Sequence, residues 1–227
     1  MQVLSAAIVA ISLLAAASCA RGDGSPSPAN ASATPYTVLD DQGSQLRTDF
    51  NRNVGSIRLL FVVDPICPTC LRGLADMNRD LLAGTADPRI HTFVVHEPVL
   101  GLARVAPWLR PAGGEDVAKA EQLLHNPNVQ HYWNPSGAFG RLLSHAVGLK
   151  NSEGPVYAWD VWLLYGPEVK WEGTDPPRPR LLMHQLGTLG SSTEFPHLDS
   201  RAFAQQVRAS LAQLPPLATP APAASPQ

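Results

Sequence analysis

The chain has 227 residues, 44% of them hydrophobic, enough for one ordinary domain or two small ones with a sizeable core. Only 16% are charged and the net charge is -2, so the basic surplus of a nucleic-acid binder is absent. The three cysteines, Cys19, Cys67 and Cys70, exclude a multi-disulfide scaffold, and no apolar run after residue 20 reaches the roughly 18 residues of a membrane span.

Residues 1–18 carry no charged side chain, and residues 3–17 form an apolar or small-residue run of signal-peptide length. The run ends in Ala16-Ala17-Ser18-Cys19. This resembles the lipobox of bacterial lipoproteins, where small residues precede a cysteine that is lipidated and becomes the mature N-terminus. Two features depart from that pattern. Leu is commonest where Ala16 sits, and no Lys or Arg precedes the apolar core, so a start upstream of Met1 stays open. The alternative is a signal peptide cut nearby, with Cys19 incidental. The resemblance implies a palmitate-type anchor on Cys19, and Ala20 resembles lipoproteins sorted to the outer rather than the inner membrane. Residues 19–35 are rich in Ser, Pro, Ala and Gly and are expected to form a flexible tether. The folded domain, expected over 36–214, would then face the periplasm on a lipid leash.

In chain order, residues 36–39 read as a short strand, 40–43 as a turn and 45–47 as its return. Residues 57–63 (IRLLFVV) are a near-continuous apolar run, the pattern of a strand covered on both faces, closed by Pro65 and Pro68. Residues 69–82 show helical spacing at Leu71, Leu74, Asn78 and Leu81–Leu82. Residues 90–95 predict a strand, 115–124 a helix, 128–133 a strand and 137–147 a helix. Residues 161–165 and 169–171 flank Gly166-Pro167-Glu168 as a hairpin. Residues 181–186 and 200–214 read as helices, and the Pro/Ala-rich tail 215–227 as disordered. Strands alternating with helices predict a three-layer α/β domain.

The chemistry concentrates in Cys67-Pro68-Thr69-Cys70, where a buried strand hands over to a helix. A helix start presents free N–H groups and the positive end of the dipole, which favours a thiolate. Pro68 suits the first turn, where its missing N–H is harmless. Cys67 is therefore expected to be an exposed, low-pKa nucleophile. Cys70, three residues on, is expected to face the protein and to resolve a mixed disulfide. Two other readings stay open on the residues alone. One is half of a zinc site, although no further Cys lies in the domain to complete it. The other is a pair of inert buried thiols.

Residues 36–70, together with the later run 161–171, resemble thioredoxin-like proteins of the TlpA-like and peroxiredoxin-related type. The likeness spans roughly residues 36–190. It implies a thioredoxin-like α/β/α fold with a mixed central sheet and a C-terminal antiparallel hairpin. It also implies a redox-active Cys67–Cys70 disulfide that needs no cofactor, Cys67 attacking and Cys70 resolving. Outside the cytoplasm the implied partner is a membrane reductase or another periplasmic thiol protein, not glutathione or thioredoxin in solution.

Three features depart from the family pattern. Phe61 stands where many thioredoxins carry a buried acid, and the nearest acid is Asp64. Ile66 replaces the usual aromatic before the first Cys. The slot of the cis-proline opposite the disulfide holds Asp160, after Trp159, while Pro155 comes five residues early. An acid at Asp160 would oppose the Cys67 thiolate and offer a proton acceptor for Cys70, or a hard oxygen near a metal; otherwise it caps a turn.

Other candidates are weaker. Residues 97–114 are read as an insertion forming a surface loop. His96-Glu97 is read as a solvated strand end, and His131, His145 and His184 receive no role. Residues 177–180 (PRPR) are read as a loop. Trp108, Trp133, Trp159, Trp162 and Trp171 are read as core or rim packing. Two functional classes remain: a tethered thiol–disulfide oxidoreductase, and a metal-handling protein resembling Sco-like copper chaperones. The latter share the fold and lack the cis-proline, but usually carry C-x-x-x-C. A soft Cys pair could still hold Cu(I). A third reading is a redox-inert relic with an interaction role.

Overall fold

In the computed structural model, residues 34–83, 87–102, 108–190 and 192–217 are described. The expected signal segment, Cys19 and nearly all of the tether lie outside them, as do residues 103–107 of the insertion and most of the tail.

The expected strand over 57–63 is β2 of a six-stranded sheet. The strands are β1 (Thr37–Val38), β2 (Ile57–Val63), β3 (Ile90–His96), β4 (Val129–Trp133), β7 (Val161–Tyr165) and β8 (Leu181–His184). Their order is β1-β4-β3-β2-β7-β8. The first four run parallel, and β7 and β8 pair antiparallel on the other side of β2. A separate hairpin joins β5 (Lys150–Asn151) to β6 (Gly154–Pro155).

Helices cover both faces. The buried side chains of β2 alternate between two apolar layers. Ile57, Leu59, Phe61 and Val63 meet Leu74 and Met77 of α2 (Pro68–Met77) and Phe203 and Val207 of α6 (Ser200–Leu211). Leu60 and Val62 meet Leu46 and Phe50 of α1 (Ser44–Arg52) and Phe139, Leu143 and Val147 of α5 (Ala138–Val147). Double coverage is why β2 reads as a near-continuous apolar run, broken only by Arg58. The helical turn α3 (Val99–Leu102) and α4 (Gly114–Glu121) follow β3, and a π-helical turn, Asn78–Leu82, extends α2. With its central strand feeding a helix that begins at the C-x-x-C and an antiparallel pair closing one edge, the domain has the thioredoxin-like fold.

Three expectations are corrected. Residues 45–47 do not return as a strand; they belong to α1. Gly43 enters the helix with φ 63°, the Ser44 N–H donates to Asp40 Oδ1 at 2.9 Å, and Leu46 and Phe50, four apart, bury one face. The strand paired with β7 is β8, not residues 169–171, and 181–184 is extended rather than helical. Arg58, fully buried on β2, donates to the Val169 carbonyl at 2.6 Å and to the Gly166 carbonyl, so that stretch turns across the sheet. The Trp171 N–H donates to Asn51 Oδ1 at 2.8 Å and its ring stands edge-on to Phe50, which commits 169–171 to the α1 layer. Leu182 and Met183 point into opposite apolar layers, the alternation of a strand.

Candidate active site

Cys67 is the N-cap of α2, with extended backbone (φ -80°, ψ 118°) and Pro68 at the start of the helix. Its own N–H donates to the Asp64 carbonyl at 3.1 Å, and its carbonyl accepts the first helical bond, from Leu71 N at 3.0 Å. The thiol thus sits at the positive end of a ten-residue helix. It lies 3.0 Å from the Thr69 hydroxyl. Cys70 is completely buried behind it, and both sulfurs are free thiols. The expectation of an exposed Cys67 is corrected: only 4% of the residue reaches solvent, and it belongs to the apolar layer formed with α2 and α6.

The structure brings Asp160 to these thiols. A carboxylate oxygen of Asp160 and the sulfurs of Cys67 and Cys70 all lie within 4.8 Å of one another. Asp160 stands just before β7 and is 1% exposed. Its φ is 52°, the single left-handed value at a non-glycine among the described residues, a conformation Asp and Asn tolerate better than other side chains. Its carbonyl accepts from Gln185 N at 3.0 Å, which ties the residue to the loop after β8, and its Oδ1 has no hydrogen-bond partner. Trp159 is half-buried and packs against both apolar layers.

The charges in this cluster diverge. The Cys70 thiol beside it, and then the Thr69 hydroxyl, hold the Cys67 thiol down at about 6, against burial and the Asp160 carboxylate. Burial, then Cys67 and Asp160, pushes Cys70 well above the ordinary thiol range. Burial raises Asp160 to about 6, and the polar hydrogens of Thr69, Cys70 and Trp162 offset only part of that. Near neutral pH the arrangement therefore offers one thiolate, one thiol and one carboxylate placed to take a proton.

Other residues around the motif were not legible in the sequence. Asp64 is buried and ties the turn before Cys67 to the insertion: its Oδ1 accepts from Ile66 N at 2.9 Å and its Oδ2 from Leu100 N at 2.8 Å. His96 and Glu97 do not form a solvated strand end, for both are fully buried. The β3–β4 pairing sets His96 beside His131, Nε2 to Nδ1 at 3.0 Å, and His131 Nε2 lies 3.1 Å from the Leu124 carbonyl. Glu97 accepts from Gly140 N at 3.1 Å and from the Tyr157 hydroxyl at 2.8 Å. His184 is buried, its Nε2 3.1 Å from the carbonyls of Gly190 and Phe195, whereas Trp108 is 80% exposed and no part of the core. Among the described residues, the Cys67–Cys70–Asp160 cluster is the one set of three metal-capable groups, so the cysteines have no second pair to complete a zinc site.

A C-x-x-C opening a helix on a thioredoxin-like sheet defines the class of site. No family model matches the sequence, and no curated protein matches it. Among solved structures, the chain is similar to a secreted Mycobacterium tuberculosis disulfide oxidoreductase homologous to E. coli DsbE, at 12% identity and a TM-score of 0.41 over 78% of this chain and 96% of that one. It is similar to a thiol:disulfide interchange protein of the thioredoxin family from Chlorobium tepidum, at 10% identity and a TM-score of 0.39 over 70% and 83%. It is also similar to copper-bound ScoI of Arabidopsis thaliana, at 9% identity and a TM-score of 0.38 over 78% and 96%. Identities this low carry no residue roles across, so the chemistry of the site stands on its own side chains.

Proposed function

We propose that the protein is a thiol–disulfide oxidoreductase acting through Cys67 and Cys70. The observation that carries this reading is the divergence of the two thiols: Cys67 is held at about 6 at a helix N-terminus, and buried Cys70 is pushed far above it. The Cys67 thiolate attacks one sulfur of a partner disulfide, forming a mixed disulfide and releasing the partner's other sulfur as a thiolate. Cys70 then loses its proton to Asp160 and attacks Cys67 Sγ. The Cys67–Cys70 bond forms, the partner's second thiolate leaves, and two electrons have passed from the pair to the partner. Run backwards, the same steps oxidise a partner dithiol. The chemistry needs no cofactor.

The partners in this reading are thiol proteins of the bacterial envelope or its membrane, and the chain reaches them from a lipid anchor at Cys19, facing the periplasm. Among the described residues no helix is long and apolar enough to cross a membrane. Trapping tests the reading. In the full chain, Cys70→Ser should accumulate a mixed disulfide with a model disulfide substrate, and Cys67→Ser should not react. Full exchange activity in Cys67→Ser would refute it.

A second reading, copper handling, draws on the same cluster. Two soft sulfurs within 4.8 Å suit Cu(I), but the third group is the hard carboxylate of Asp160, and among the described residues no histidine joins it. The donor set thus fits the sulfur half of a Cu(I) site and not the rest. Titrating the reduced full chain with Cu(I) tests the second reading: stoichiometric binding that Cys67→Ser and Cys70→Ser each abolish would favour a metal role, and binding that survives either change would place the copper elsewhere.

A further inference from the structure

Outside the thiol cluster, a cavity of about 930 Å³ opens between α5, the β5–β6 hairpin and the loop after β8. Its size falls within the range of small-molecule sites. Three cations, Arg141, Lys150 and Arg178, line it, and among the described residues none of them forms an ion pair. One acid, Glu194, lies on the same wall. The rest of the lining includes Leu149, Val156, Leu189 and Phe195.

Unpaired cations on a chain of net charge -2 are a local concentration of positive charge, and here it borders an apolar pocket. Guanidinium groups match oxyanions through paired N–H donors, and the apolar wall gains by covering hydrocarbon. Tyr157 also lines the cavity, with the Arg141 guanidinium 5.8 Å from its ring centre, so that cation is stationed on an aromatic wall rather than drawn off into a salt bridge.

We infer that this cavity binds a small amphipathic carboxylate, its head between Arg141 and Arg178 and its body against Leu149, Val156 and Phe195. The site shares no residue with the thiol cluster, so binding is a property separate from disulfide exchange.

Isothermal titration of the full chain with decanoate tests this, with decanol as the neutral control. The expected result is saturable one-to-one binding of decanoate, with decanol at least tenfold weaker. The variant Arg141→Gln/Arg178→Gln should bind decanoate at least tenfold more weakly than wild type, with an unchanged melting temperature because both side chains are exposed. Lys150→Gln is a second, independent variant and should weaken binding about threefold or more. The inference is overturned if decanoate shows no saturable binding, if decanol binds as tightly, or if the double variant keeps wild-type affinity.

Discussion

A carboxylate oxygen of Asp160 lies within 4.8 Å of the Cys70 sulfur, on a buried residue whose backbone takes a left-handed turn with φ 52°. Burial holds this carboxyl at about 6, so it is ionised near neutral pH and loses its basic form as pH falls through 6. Asn tolerates the same backbone turn but accepts no proton. Starting from a Cys67 mixed disulfide, where the Cys67 thiol no longer titrates, resolution by Cys70 should slow in wild type below pH 6. In Asp160→Asn it should be slower by roughly tenfold or more at pH 7.5, without that midpoint. Stopped-flow release of the partner thiol measures both; equal rates across pH 5 to 9 would remove Asp160 from the mechanism.

Gly73 faces β7 across the sheet layer. A Cβ there would clash with the Trp162 indole and lie 2.8 Å from Gln185 Oε1. Trp162 cannot retreat, because it is fully buried with its ring centre 4.6 Å from that of Phe61. Gly73→Ala should therefore destabilise the domain by about 1–3 kcal/mol. Urea denaturation reads this as a lowered midpoint, and an unchanged midpoint would show that α2 can shift freely.

Glu97 sits fully buried under α5, and burial pushes its carboxyl up to about 7 from an ordinary 4.5, against the Tyr157 and Gly140 donors. The folded state thus favours the protonated form. The stability associated with it is complete below pH 4.5 and is lost as pH rises through 7. Glu97→Gln keeps an acceptor for Gly140 N and removes the charge. Its unfolding free energy should match wild type near pH 4.5 and exceed it at pH 8, the gain reaching roughly 2–3 kcal/mol, as chemical denaturation at the two pH values would show. A difference independent of pH would contradict the assignment.

Asp64 holds two backbone N–H groups, a part-buried one in the turn before Cys67 and a buried one in α3. Asp64→Ala would leave both without that acceptor, a loss of about 2 kcal/mol or more. Limited proteolysis should then cut within 97–114 before the rest of the domain, whereas uniform resistance would show that the insertion is held by other contacts.

The sequence discloses elements whose signal is local and hides those set by distant partners. The run 57–63 is apolar but for Arg58 because both its faces are covered, and the spacing of Leu71, Leu74 and the residues after them is that of a helix packed on one side. Counting back from Tyr165 places Asp160 by the cysteines because β7 is regular from Val161 onward. The fate of residues 169–171 depends instead on Arg58, 111 positions before Val169 in the chain, and no local pattern announces that contact. Residues 181–184 are too short a run to separate a strand from a helix by period. Glu97 follows a strand as any solvated acid would; its burial comes from Gly140 and Tyr157, which the chain supplies much later.

The central claim is the asymmetry of the two thiols, and the pH dependence of alkylation tests it most directly. The reduced full chain is treated with iodoacetamide from pH 4.5 to 9.5, and the modified cysteine is identified by peptide mass spectrometry. Cys67 should be labelled with a midpoint near pH 6, while Cys70 stays unlabelled across the range in which the fold persists. Labelling of Cys70 as fast as Cys67, or a Cys67 midpoint at the ordinary thiol value of about 8.5, would contradict it.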